Sequence, residues 1–246
     1  MRALVNLLAI AALPAVALLP ATLPGGHAVA GDFDLNVALA SDRVEHGVSR
    51  SQGDPSLQAR AGLRFGEGWW AGASFTTMNL NPGPGPNREV GVYIGRGGEL
   101  GRGWSWSADA ARYFFSAQIP RLPYDYAELR LAAAWRGRVE LALTVSPDYS
   151  VGTRLGVARN AVSVDAQLNV VQPLSPWLQL SAGVGHFDVD DRAPLGFWYW
   201  GASAILGGPR LSLALTWTGS EHATRNMFGP RGTGERLLAT LSWRVH

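Results

Sequence analysis

No cysteine and no lysine occur in this chain; all 21 of its basic residues are arginine. The missing cysteines exclude a disulfide framework and are compatible with an oxidising periplasm. A GC-rich genome accounts for the arginine bias. Net charge is small as well: the formal value is +2, and losing Arg2 with an N-terminal leader leaves +1. That excludes a global basic field, and nucleic acid is not an expected partner. Histidine is sparse, and His46, His186, His222 and His246 each stand alone beyond the leader, with no metal-ligand spacing.

Long apolar runs are confined to the first thirty residues. Met1-Arg2 gives a positive start, an apolar stretch extends to about Leu23, and Ala28-Val29-Ala30 supplies a small-x-small cleavage pattern. Pro14, Pro20 and Pro24 interrupt this stretch and argue against a membrane anchor. Residues 1–30 are therefore expected to be a signal peptide, and residues 31–246 a single domain. No later run approaches the roughly 20 apolar residues of a membrane helix, so any membrane residence must come from strands.

What fills the rest of the chain is period two. Phe33, Leu35, Val37 and Leu39 alternate with polar or small residues, as do Leu57, Ala59, Ala61, Leu63 and Phe65 with Gln58, Arg60, Gly62 and Arg64. Ten further segments follow, beginning near residues 69, 90, 104, 127, 139, 162, 178, 198, 211 and 239. Most last about nine to eleven residues, the length of a tilted strand that crosses a bilayer. The expected fold is an all-β, antiparallel up-and-down transmembrane barrel of about twelve strands.

The gaps support that reading because they alternate in length. Short glycine-rich turns (66–68, 137 and 207–209), the slightly longer 172–176, and 95–103, the longest of this set, follow even segments. Longer connections (41–56, 79–88, 116–123, 146–159, 188–195 and 219–234) follow odd ones. Outer-membrane barrels keep tight turns on the periplasmic side and long loops outside. Aromatic residues collect at segment ends: Trp69, Trp70, Trp104, Trp106, Trp135, Trp177 and Trp243 at one end, and Phe75, Phe114, Phe115, Tyr124, Tyr126, Trp198, Trp200 and Trp217 at the other. Rings with an apolar body and a polar handle form such girdles at the two interfaces.

The opposite parity of each strand then points into the barrel. Candidate pore-lining residues are Arg60, Arg64, Asp109, Glu128, Arg130, Glu140, Asp165, Gln167 and Arg210, with His186 expected among the inward polar groups. As a pore wall these groups would select solutes; paired among themselves they would close the lumen, because buried charges need partners.

Residues 41–58 read Ser-Asp-Arg-Val-Glu-His-Gly-Val-Ser-Arg-Ser-Gln-Gly-Asp-Pro-Ser-Leu-Gln, and Ser146-Pro147-Asp148-Tyr149 and the Leu180–Phe187 stretch carry further matches. Together these resemble the TorF-type porin family of secreted proteins. Arg43 and Glu45 stand where that family favours aromatics, His46 where it favours Arg, and Arg50 where it favours Gln. The resemblance implies an outer-membrane β-barrel with a pore.

Enzymatic readings find little support. Ser220 and His222 lie close in a polar loop without a third partner, and the Gly95–Gly103 stretch precedes no helix that would make it a phosphate loop. Neither catalysis, a cofactor nor a metal is expected. The expected function is passive passage of small polar solutes across the outer membrane. The alternative is a closed barrel acting through its long loops, and a soluble β-sandwich is a third possibility. Expected partners are outer-membrane lipid and lipopolysaccharide, whose phosphates would lie near the loop residues Arg225 and Arg231, and the barrel assembly machinery during insertion.

Overall fold

The structure is a computed structural model that describes residues 32–79, 87–116, 124–153, 156–189 and 196–245; the expected leader, residues 1–30, lies outside them. Twelve antiparallel strands close into a barrel, each hydrogen-bonded to its neighbours in sequence. They are β1 (Asp32–Ala40), β4 (Ser56–Phe65), β5 (Trp69–Thr77), β6 (Arg88–Gly101), β7 (Trp104–Phe115) and β8 (Tyr126–Trp135). The remainder are β9 (Val139–Thr153), β10 (Gly156–Ser175), β11 (Leu178–Val189), β12 (Phe197–Gly207), β13 (Leu211–Ser220) and β14 (Arg236–Val245). Two elements stand outside the wall. The first is a small hairpin, β2 (Val44–Glu45) with β3 (Val48–Ser49); the second is a helical turn, α1 (Ala223–Phe228).

Closure is made by β1, which pairs with β4 on one side and β14 on the other; Val37 lies opposite Ala59 and opposite Trp243. A closed sheet leaves no unpaired edge, which is what lipid demands of a backbone that cannot hydrogen-bond to it. The strand period decides which side chains meet that lipid. Leu129, Leu131, Leu141, Leu143, Leu168 and Leu241 all point outward and are exposed, Leu131 by 60%. Water would strip such a surface of its stability, whereas hydrocarbon covers it at no cost.

The barrel has two unlike ends. At the turn end, the connections are tight: Arg102-Gly103 and Arg136-Gly137 have positive φ at both residues, the geometry of a two-residue type I′ turn. Both termini of the barrel are at this end. At the loop end, Arg112 interrupts the outward apolar row of β7 before Phe114, and its guanidinium forms an ion pair with Asp148.

Several expectations about the connections change. The 95–103 stretch is mostly strand: β6 runs to Gly101 and pairs with β7 with one register shift between Glu99 and Gly101, leaving only Arg102-Gly103 as a turn. Inward Gly95 and Gly97 are needed because the Trp70 ring lies over them, and a Cβ on Gly97 would sit 3.1 Å from it. The 146–159 connection is likewise mostly paired, since β9 reaches Thr153 and β10 starts at Gly156, with register irregularities between Ala158 and Ser163. Irregular pairing there breaks the period-two signal while preserving the hairpin.

Candidate functional site: the lumen and its inward loop

The inner wall differs between the two halves of the barrel. Toward the turn end, several inward polar side chains, Arg60, Arg64, Asp109 and Glu140 among them, are half-exposed. The Arg60 guanidinium lies 4.0 Å over the Tyr93 ring, and its Nε donates to the Tyr93 hydroxyl at 2.9 Å. Trp70 donates from Nε1 to Asp109 at 2.8 Å. Arg130, on β8, donates to Glu140, on β9, at 2.6 Å. Arg64 lies inward near the turn end of β4, opposite Asp32 in register.

Toward the loop end, the lumen is filled. Val48, Met78, Phe115, Tyr126, Tyr149, Ala161, Phe187, Val189, Phe197 and Tyr199 form a buried apolar cluster inside the barrel, with Phe228 of α1 packed against it. Phe115, Tyr126 and Trp70 therefore face inward instead of joining the outer aromatic girdles. Their parity shows why: each is one residue off the outward row of its strand, so clustering at a strand end alone misassigned them. His186 shows the reverse error. It shares the outward parity of Val184 and packs edge-on against Trp198 at 4.8 Å.

Most of that cluster comes from the wall strands, and the first long connection enters the lumen beside it. Residues 41–55 do not project outward; they turn into the barrel and cross it. His46 and Gly47 form a two-residue turn, with φ of 50° and 70°, between the two short strands β2 and β3. The His46 ring stacks on Phe187 of β11 at 4.5 Å and lies 5.2 Å from Tyr199 of β12. Its Nε2 is 3.5 Å from Asp165 of β10, which also accepts from the Tyr199 hydroxyl at 2.5 Å and from Gln167. The Ser220 hydroxyl of β13 donates to the Gly47 carbonyl at 3.3 Å. A Cβ at Gly47 would lie 2.7 Å from the Gly219 carbonyl carbon, so the tip fits only as glycine.

Ionic contacts hold the rest of the loop. Asp42 accepts from Ser49 (2.6 Å) and Ser51 (2.7 Å) with one oxygen and from Arg236 of β14 (2.6 Å) with the other. Glu45 pairs with Arg50 at 2.7 Å, and Arg50 reaches toward the Tyr149 hydroxyl of β9 at 3.4 Å. Arg43 lies 3.9 Å from Glu89 of β6. Burial alone would raise the Glu45 pKa, but the charges of Arg50, His46 and Arg43 hold it down at about 2. For His46, burial pushes the imidazole down, and the carboxylates of Asp165, Glu45 and Glu128 overcome this and raise it.

The structure distributes the sequence-predicted lumen residues across both halves. Arg60, Arg64, Asp109, Arg130 and Glu140 stand on inward positions in or bordering the turn half. Asp165 and Gln167 lie beneath the loop tip, and Glu128 is within electrostatic reach of Glu45, Glu89 and Asp165. Arg210 sits exposed in the turn ahead of β13, and its carbonyl accepts from the Arg244 amide at 2.8 Å. Sequence reasoning missed Asp42, Arg43, Glu45, His46 and Arg50. The readable signal was His46-Gly47 flanked by Val44-Glu45 and Val48-Ser49, a two-residue turn between short β-prone pairs.

These features define a class: a closed twelve-stranded antiparallel barrel with an apolar outer belt, of the membrane-spanning type. The chain belongs to the Gcw_chp family, bacterial proteins of unknown function, which matches residues 25–243. No curated protein matches the sequence. Among solved structures, the NanC porin is similar at a TM-score of 0.55 and 10% identity, covering 86% of this chain and 98% of that one. The KdgM porin is similar at 0.53 and 7%, covering 87% and 99%. An outer-membrane channel from Pseudomonas putida F1 is similar at 0.50 and 12%, covering 91% and 98%. At these identities the likeness establishes a shared barrel fold.

Proposed function

We propose that the mature chain is an outer-membrane channel for passive passage of small polar solutes. In this reading the turn end faces the periplasm and the loop end faces outside, and the N-terminal leader directs export. The observation that carries it is the turn half of the lumen, whose wall keeps Arg60, Arg64, Asp109 and Glu140 half-exposed behind an apolar outer belt. Charges placed there line water, because in a sealed core they would be unaffordable without full pairing. Twelve strands give a bore between the filled eight-stranded barrel and the wide sixteen-stranded porin. The TorF-type resemblance and the porin-like neighbours fit this reading. In the same reading, lipopolysaccharide phosphates meet the loop residues Arg225 and Arg231, and the assembly machinery handles the chain during insertion. The role is that of a conduit, with no reaction assigned.

Conductance in a planar bilayer tests it, on protein shown by a heat-dependent gel shift to be a folded barrel. Discrete current steps are expected. The filled loop half favours a second reading, a closed barrel with a surface role, which folded protein that never passes current would support.

A further inference from the structure

We propose that residues 41–55 are a hinged gate, seated in the loop end of the barrel by polar contacts and able to leave it as a unit. The inference rests on the channel reading and adds a means of control.

The excursion leaves and rejoins the wall at one place. Ala40 and Ser56 are directly paired between β1 and β4, and Ser41, whose amide donates to the Ala239 carbonyl of β14 at 2.8 Å, is the fixed point of the hinge. The strand pairing of the wall takes no bond from the residues between Ser41 and Ser56. A segment attached in this way swings about its two ends while the wall stays intact. Left-handed conformations at Gln52 and Gly53, with φ of 59° and 87°, mark a tight bend just before the return. The hairpin itself has only two residues per strand, too little to hold a fixed shape without its surroundings.

What seats the loop is mostly charge. Asp42 is bound by Arg236, Arg43 faces Glu89, and His46 faces Asp165, on three different parts of the wall. Its apolar share is smaller: Val48 in the buried cluster, buried Val44, and the His46 ring stacked on Phe187. Polar contacts of this kind exchange for water at small net cost, whereas an apolar plug would forfeit its burial on leaving. The seated loop crosses the mouth: His46 is only 6% exposed, and Tyr199 beneath it 1%. Beneath the gate the turn half keeps Arg60, Arg64 and Glu140 half-exposed, so lifting the loop takes the segment that spans the mouth out of the path between them and the loop end.

The test compares single-channel currents of the full mature protein with a variant in which residues 43–53 are replaced by a short Gly-Ser turn. A gel shift confirms that both are closed barrels. A second variant, His46→Gln with Asp165→Asn, keeps every backbone bond and guards against a folding failure in the first. The expected result is a several-fold larger, long-lived current step for the replacement, and more frequent opening for the double variant. Equal step size and open time in wild type and both variants would overturn the gate and leave the channel standing. Absence of current from every folded variant would overturn the channel reading, and the gate with it.

Discussion

Asp42 and Arg236 are separated by 194 residues in sequence and joined by a 2.6 Å hydrogen bond. The bond ties the loop after the first strand to the start of the last. Because Asp42 also accepts from Ser49 and Ser51, one carboxylate orders the loop internally and fastens it to the wall.

Asp42→Ala therefore takes the carboxylate from Arg236, Ser49 and Ser51 at once, leaving Arg236 the Arg231 carbonyl and Ser51 the Asp54 carbonyl. Removing one partner of a buried ion pair costs about 3–5 kcal/mol. Most of that loss falls on the seating of the loop, since no wall strand is altered. Trypsin added from the loop side should cut after Arg43 or Arg50 in the variant while wild type stays intact. Equal resistance in both would show that this bond does not hold the loop.

The loop should also respond to pH with a definite sign. His46 faces Asp165 from β10, Tyr199 from β12, Phe187 from β11, Glu128 from β8 and Glu45 from its own hairpin. Its pKa is raised, so the pairing is complete below the ordinary histidine value and is lost as pH rises through the raised one. Glu45, held at about 2, keeps its pairing with Arg50 until strongly acid conditions. Trypsin sensitivity of the loop should increase from about pH 6 to about pH 9, and His46→Gln should abolish the change. A wild-type loop equally protected across that range would contradict the assignment.

The outer belt makes a depth-dependent prediction. Leu131 lies mid-strand on the outward face of β8, whereas Leu237 lies near the loop end of β14. Arginine costs about 2–4 kcal/mol at the bilayer midplane and about 0–1 kcal/mol at an interface. Leu131→Arg should thus lower unfolding stability in lipid vesicles far more than Leu237→Arg. Equal losses would misplace the membrane.

Selectivity tests the wall of the turn half. Arg60→Glu and Arg64→Glu each replace a cation by an anion, and both should shift the reversal potential in a salt gradient toward cation preference. An unchanged potential in both variants would remove these residues from the conducting path.

The strands were legible because burial on one face imposes a two-residue period that few other structures share. All twelve wall strands correspond to alternating segments. Two kinds of feature escaped that logic. Parity at the strand ends was hidden by aromatic residues, which suit the outer interface and the inner cluster equally; Trp70, Phe115 and Tyr126 belong inside for that reason. The inward turn of residues 41–55 escaped because its partners Glu89, Asp165, Phe187 and Arg236 come from distant strands. A short polar stretch with one histidine reads as a solvated loop until those strands surround it.

The seam between β1 and β14 carries a consequence for the order of events during biogenesis. The wall contacts of greatest separation along the chain form there, so this is the slowest join to make, and it requires the last strand to exist. Arg236 belongs to that strand, and Gly232, whose carbonyl accepts from Ser49, lies just before it. The early loop therefore lacks its Arg236 and Gly232 anchors until nearly the whole wall exists. Its full docking needs strands from both ends of the chain, so closing the cylinder and completing the loop's anchorage are one coupled event.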